Sequence, residues 1–300
     1  MKISRFAVAT LVILASSTML DAQRGRGGRG SMTPEQRLEA ARRAHEEEAA
    51  KPRPIDALDS VWIEEMTYME VRDAMQAGKT TALLFAGSTE QNGPYLPGGK
   101  HQVAIRLVGE SIARQLGTAL IAPVIPVEAG NPDDPFLEWG SLYLTAETYQ
   151  GVVRDLARSL KSQGFEHIFL MGDSGGNTAG LRTVAEELGE QWGGSPTIHH
   201  IPEFYNWVGG ADSVRQFVQD NDIPEEINAD GIHDEYGITA VMIVAGEHVV
   251  RYEQRMAAGK ASINGVSIEN ADEVIAFGRK VIEFRANAAV AAIRRALGGS

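Results

Sequence analysis

An apolar run, Leu83 to Ala86, leads without a break into Gly87, Ser88, Thr89, Glu90, Gln91, Asn92, Gly93 and Pro94, and then through Leu96, Pro97, Gly98 and Gly99 to Lys100 and His101. No other feature constrains the chain as much. Apolar residues bounded by glycine read as a buried strand, and the polar loop after it is where such a strand delivers functional groups. In a parallel sheet that place is the carboxyl edge, where connecting loops are free of ladder hydrogen bonds. Glu90 and His101 are both of metal-ligand type, and a tight loop brings them together.

The rest of the chain repeats the alternation. A helix around Thr67 to Gln76 precedes the strand Thr81 to Phe85. Ile105, Val108, Ile112 and Leu116 mark a helix over Val103 to Gly117, followed by a strand over Ala119 to Val127. Thr145 caps a helix with Tyr149, Val152, Val153, Leu156 and Leu160 on one face. Then come the strand Phe165 to Met171, the helix Ala179 to Leu188, the strand Thr197 to Ile201, and a long amphipathic helix Asp272 to Leu297. This order predicts an α/β fold with a mostly parallel sheet covered by helices on both faces. The segment Arg251 to Arg255 reads as an exposed helix whose arginines pair with its own carboxylates.

The first 22 residues have the pattern of a secretory signal peptide: Lys2 and Arg5, an apolar run from Phe6 to Leu14, and small residues leading to Ala22. A retained N-terminal anchor is the alternative. Gln23 to Ser31 is a glycine- and arginine-rich tether, and Thr33 to Gln36 has capping-box spacing for an exposed helix. Residues 23–54 are therefore expected to precede a folded domain over 55–300. The chain has no cysteine, which excludes thiolate metal sites and a cysteine nucleophile. Removing residues 1–22 leaves 26 basic residues facing 39 acidic ones, a balance that disfavours nucleic acid and anionic membrane as partners. The expected location is the periplasm or the exterior.

Two further loops carry chemistry. Gly172, Asp173, Ser174, Gly175, Gly176 and Asn177 lie between a strand and a helix, where backbone amides can hold an anion. Three readings stand: a serine nucleophile of the trypsin-like pattern, which the α/β order argues against; an esterase-like turn with Ser174 as nucleophile; and a metal loop with Asp173 as ligand. In the other loop, His233, Asp234 and Glu235 precede the apolar run Ile238 to Ala245. Charges at that point face a cleft or a cation, or complement a helix dipole. Trp139, Tyr143, Phe204, Tyr205 and Trp207 line a pocket or an oligomer contact, and Glu128 or Glu138 meets the substrate at a rim loop.

Glu90-Gln91-Asn92-Gly93-Pro94, the following Leu96-Pro97, the Gly175-Gly176-Asn177 turn and the His233 loop together resemble the creatininase family, over roughly Val61 to Ala258. The resemblance implies a three-layer α/β sandwich, a homo-oligomer, and metal-dependent hydrolysis of a cyclic or linear amide. The departures are specific. Asn92 stands where the family reads histidine, His101 where it has aspartate, Ser174 where the turn carries a ligand histidine, and Gly176 where some members carry glutamate.

On that resemblance Glu90, His101 and Asp173 are expected to hold zinc or manganese, and His233 or Glu235 to shuttle a proton to the leaving nitrogen. Ser174, with the amides of Gly175 and Gly176, is expected to hold the oxyanion, while Asn92, Asn177 and Trp139 contact the substrate. The alternatives are a metal-free pocket that only binds a small molecule, a hydrolase using Ser174 with His101 or His233 as base, and a scaffold role.

Overall fold

The structure is a computed structural model that describes residues 32–298. The expected signal peptide and the tether up to Ser31 lie outside the described residues. Two compact units divide the chain between Pro54 and Ile55. In the first, helix α1 (Pro34–Ala49) starts at Thr33, whose hydroxyl accepts from the Gln36 amide while the Gln36 side chain accepts from the Thr33 amide. No residue of α1 is buried.

The second unit is built on four parallel strands, β1 (Thr81–Ala86), β2 (Ala119–Ile121), β5 (His167–Gly172) and β6 (Thr197–His200), in the order β2-β1-β5-β6. Every residue of β1 is buried, as a strand covered on both faces requires. Alternation sends Leu83 and Phe85 to one face and Ala82, Leu84 and Ala86 to the other. The first face packs on α3 (Lys100–Leu116), through Ile105, Val108 and Ile112, and on α9 (Ala271–Ala296), through Ala289, Val290 and Ile293. The second packs on α4 (Ala146–Gln163), through Tyr149, Val153 and Ala157, and on α5 (Asn177–Trp192), through Leu181, Val184 and Leu188. The result is the expected three-layer arrangement.

Shorter elements complete the unit. Helix α2 (Tyr68–Gln76) is capped by Thr67, and β3 (Glu128–Ala129) and β4 (Tyr143–Leu144) form a small parallel pair. Helices α6 (Val214–Asp220) and α7 (Tyr236–Ala245) pack with α9 in a third apolar cluster. Then come α8 (Tyr252–Ala257) and a hairpin of β7 (Ser262–Ile263) and β8 (Val266–Ser267), whose turn residues Asn264 and Gly265 both have positive φ. Among the described residues no helix is long and apolar enough to cross a membrane.

Two expectations are corrected. The strand expected over Ala119 to Val127 stops at Ile121, because Pro123 and Pro126 cannot donate to a ladder; beyond it only a bridge from Ile125 to Ala86 remains. Arg255, expected on an exposed helix, is 2% exposed. It donates to the Lys260 and Ser262 carbonyls and lies over the Tyr95 ring, so it holds the hairpin instead of pairing at the surface.

Where α9 crosses α7, a Cβ on Gly278 would collide with the Ala240 carbonyl, a backbone atom that cannot step aside. Gly278→Ala is expected to lower stability by about 1–3 kcal/mol. The clash outweighs the roughly 1 kcal/mol that alanine gains in helix propensity. Urea unfolding checks this: an unchanged or raised midpoint would mean the crossing is not tight.

Candidate functional site

The site forms where β1 and β5 end. After β1 the chain closes a loop on itself: the Glu90 amide donates to the Gly98 carbonyl at 3.1 Å, and Asn92 Nδ2 donates to the carbonyls of Glu90 and Pro97 at 3.0 and 2.9 Å. That closure brings the first turn of α3 back over the strand end. His101 then sits between two carboxylates, with Nε2 at 2.7 Å from Glu90 Oε1 and Nδ1 at 2.8 Å from Asp173 Oδ2.

Asp173, which follows β5 and is fully buried, accepts on its other oxygen from Arg285 Nη2 and, at 3.1 Å, from Trp207 Nε1. Arg285 lies on α9 with no exposed surface, its guanidinium 3.9 Å from the Trp207 ring centroid. Lys100, also buried, places Nζ 3.5 Å from Glu90 Oε1 and donates to the His233 carbonyl at 3.0 Å. The result is a continuous chain Lys100–Glu90–His101–Asp173–Arg285.

The charges set one another. Burial works against the Glu90 carboxylate, but His101, Lys100 and His233 outweigh it and hold its pKa at about 2. Burial likewise opposes Asp173, yet Arg285 and His101 keep it below the ordinary carboxylate range. Burial would discharge His101, and its two carboxylates more than offset this, so its pKa is raised. Lys100 moves the other way, lowered by burial despite Glu90 and Asp173.

A cavity of about 520 Å³ opens beside this chain. Its lining includes Glu90, Lys100, His101, Ser174, Gly175, Gly176, His233 and Glu235, with Val214, Val218, Ile232 and Ile238 among the apolar residues. His233 has φ +58° and reaches within 3.6 Å of Glu90, while Glu235 is ion-paired with Arg215 at 2.6 Å. Gly175 and Gly176 precede the first turn of α5, whose Asn177 and Thr178 amides donate to the Ser174 and Gly175 carbonyls at 3.2 Å, and the positive end of the helix favours negative charge.

The remaining expected contacts lie elsewhere. Asn92 is committed to its own loop, and Asn177 is fully buried, tying α5 to the Ala86 and Gly87 carbonyls at 3.1 and 3.0 Å. Trp139 is 99% exposed and outside the cavity lining. Sequence reasoning missed Lys100 and Arg285. A signal for Arg285 was available: it stands among Val281, Ala289 and Ile293 on the apolar stripe of α9, where an unpaired charge would be costly.

The family model for creatininase, creatinine amidohydrolase, matches residues 64–296. The chain belongs to the creatininase family. Solved structures similar to it include a manganese form of creatininase, with 18% identity and a TM-score of 0.57 over 79% of this chain and 98% of that one. A zinc–zinc form of a glutamate-to-glutamine creatininase mutant has 19% identity and a TM-score of 0.55 over the same shares. That type of mutant complexed with creatine has 18% identity and a TM-score of 0.56, again over 79% and 98%. A search of curated proteins finds no match.

The manganese and zinc forms raise the question of whether this donor set fits a metal. Structure brings Glu90, His101 and Asp173 together, but as a hydrogen-bonded chain. Both ring nitrogens of His101 face carboxylates, Asp173 is saturated by Arg285, Trp207 and His101, and the Lys100 ammonium lies against Glu90. Among the described residues no group of three or more His, Asp or Glu side chains is arranged to hold a metal ion. The residues do not fit the family's metal centre. Fixed cations take up its carboxylates.

Arg285→Met leaves Asp173 buried without its main cation and is expected to cost about 3–5 kcal/mol, most of which Asp173→Asn on the same chain restores. A double-mutant cycle in urea checks this, and strict additivity would contradict it. The Glu90 shift also sets an acid limb. With a value of about 2 against the ordinary 4.5, ionised Glu90 contributes stability that is present above pH 4.5 and lost as the pH falls through 2. Melting temperature against pH should therefore fall in that window, and Glu90→Gln should flatten the fall.

Proposed function

We propose that this chain hydrolyses a carbon–nitrogen bond of a small amide held in the 520 Å³ cavity, without a resident divalent metal. One observation carries the reading. The buried Lys100 ammonium and the doubly held His101 converge on the cavity wall that also presents Ser174 and the glycine turn before α5. Positive charge held in a preorganised site is what an amide carbonyl needs as its oxygen becomes negative. Ser174 and Tyr205 bring hydroxyls to the cavity, and His233 and Glu235 line it too, as groups able to hold the leaving nitrogen. Hydrolysis takes place outside the cytoplasm, in a homo-oligomer.

A competing reading is a zinc or manganese ion at Glu90, His101 and Asp173, favoured by the manganese and zinc forms among the similar structures. Metal content of the untagged protein, with turnover of a panel of cyclic amides, formamides and short peptides before and after chelation, separates the two. The expected outcome is no stoichiometric metal, and turnover that survives chelation and falls about a hundredfold or more in Lys100→Met. One equivalent of bound metal with chelator-sensitive turnover would overturn the metal-free reading. No turnover on any amide, with tight binding of one, would make the chain a binding protein.

A further inference from the structure

The loop that carries His233 and Glu235 to the cavity runs from Glu225 to Glu235, directly before α7. Asn228 and His233 within it have φ +64° and +58°. Residues with side chains hold that region only where their surroundings enforce it. On one side the loop after β1 and the first turn of α3 do so. The Gly93 amide donates to the Ile232 carbonyl at 2.9 Å, and Lys100 Nζ to the His233 carbonyl at 3.0 Å.

On another side stands a single residue, Asn264, at the turn of the β7–β8 hairpin. Its backbone amide donates to Asp230 Oδ2 at 2.6 Å, and its carbonyl accepts from the Glu226 amide at 2.9 Å. Its Oδ1 accepts from the Asp230 amide at 3.0 Å, while its Nδ2 donates to Glu225 Oε1 at 2.8 Å and to the Asp234 carbonyl at 3.0 Å. Glu225 Oε1 also accepts from the Tyr236 amide at 2.6 Å, so the contact reaches both ends of the loop.

A tight hairpin turn favours an Asn-Gly pair at positive φ, and that alone accounts for the residue type. It does not account for the burial. Asn264 has no exposed surface, and its side-chain oxygen, side-chain nitrogen and both backbone groups are all engaged by one segment. The hairpin beneath it is itself fixed, by the fully buried Ile263 and by Arg255 on the Lys260 and Ser262 carbonyls. A functional loop keeps a productive geometry when a second layer of hydrogen bonds, on a rigid element, holds it there.

We propose that Asn264 is a positioning residue of the site, whose five hydrogen bonds to residues 225–234 set where His233 and Glu235 stand in the cavity. It lies outside the cavity lining and acts through the loop alone. The inference rests on the amide-hydrolase reading for its reaction, and it holds whichever group polarises the carbonyl.

Asn264→Gly removes the side chain and keeps the backbone conformation of the turn. Two measurements on the purified protein follow it. The first is amide hydrogen exchange, read by peptide, where faster exchange is expected over 225–235 with β1, β5 and α9 unchanged. The second is turnover of the best amide of the panel, below the melting temperature of every variant, in the wild-type chain and in one carrying His233→Asn and Glu235→Gln. In the wild-type chain kcat should fall about tenfold to a hundredfold, the cost of misplaced groups. With the groups it positions already removed, the same change should cost about threefold or less. A merely structural role would lower both chains alike.

An equal fall in the two chains, or unchanged exchange over 225–235, would overturn the role of Asn264. If wild type turns over no amide, the amide reading fails and exchange alone decides the role of Asn264, as it does if the doubly substituted chain is silent. Should Asn264→Gly fail to fold, Asn264→Asp is put through the same measurements. It tolerates the turn and keeps the acceptor for the Asp230 amide, and loses only the donor to Glu225 and Asp234.

Discussion

The chain from Lys100 through Glu90, His101 and Asp173 to Arg285 is the constraint on which the site depends. Its members come from the loop after β1, the first turn of α3, the end of β5 and the middle of α9, so it ties the two central strands to the helical layer. Buried charges of this kind are tolerated only when each has a partner of good geometry. Asp173 meets that condition most fully, with three donors and no exposure.

Three positions shape the site by what their side chains do. His101 needs acceptors on both ring nitrogens, and Glu90 and Asp173 supply them. Asn92 fastens the loop that sets α3. Gly176 has no side chain, and the Glu128 carboxylate occupies the space a Cβ would take.

Much of the fold was legible because β1, β5 and the helices between them carry clean periodicities. Thr67 and Thr145 mark helix starts that the structure keeps. The strand after Ala119 was overextended because branched residues at 124, 125 and 127 suit a strand, while the two prolines among them deny it a ladder. At the site, Glu90, His101, Asp173 and Ser174 were legible as a cluster because strand ends converge. Their partnership was not. Arg285 lies 112 residues from Asp173 in sequence, and no local pattern says which buried acid a buried base will meet. Trp139 looked like a pocket residue because aromatic side chains usually are, but placement on a protruding loop overrode residue type.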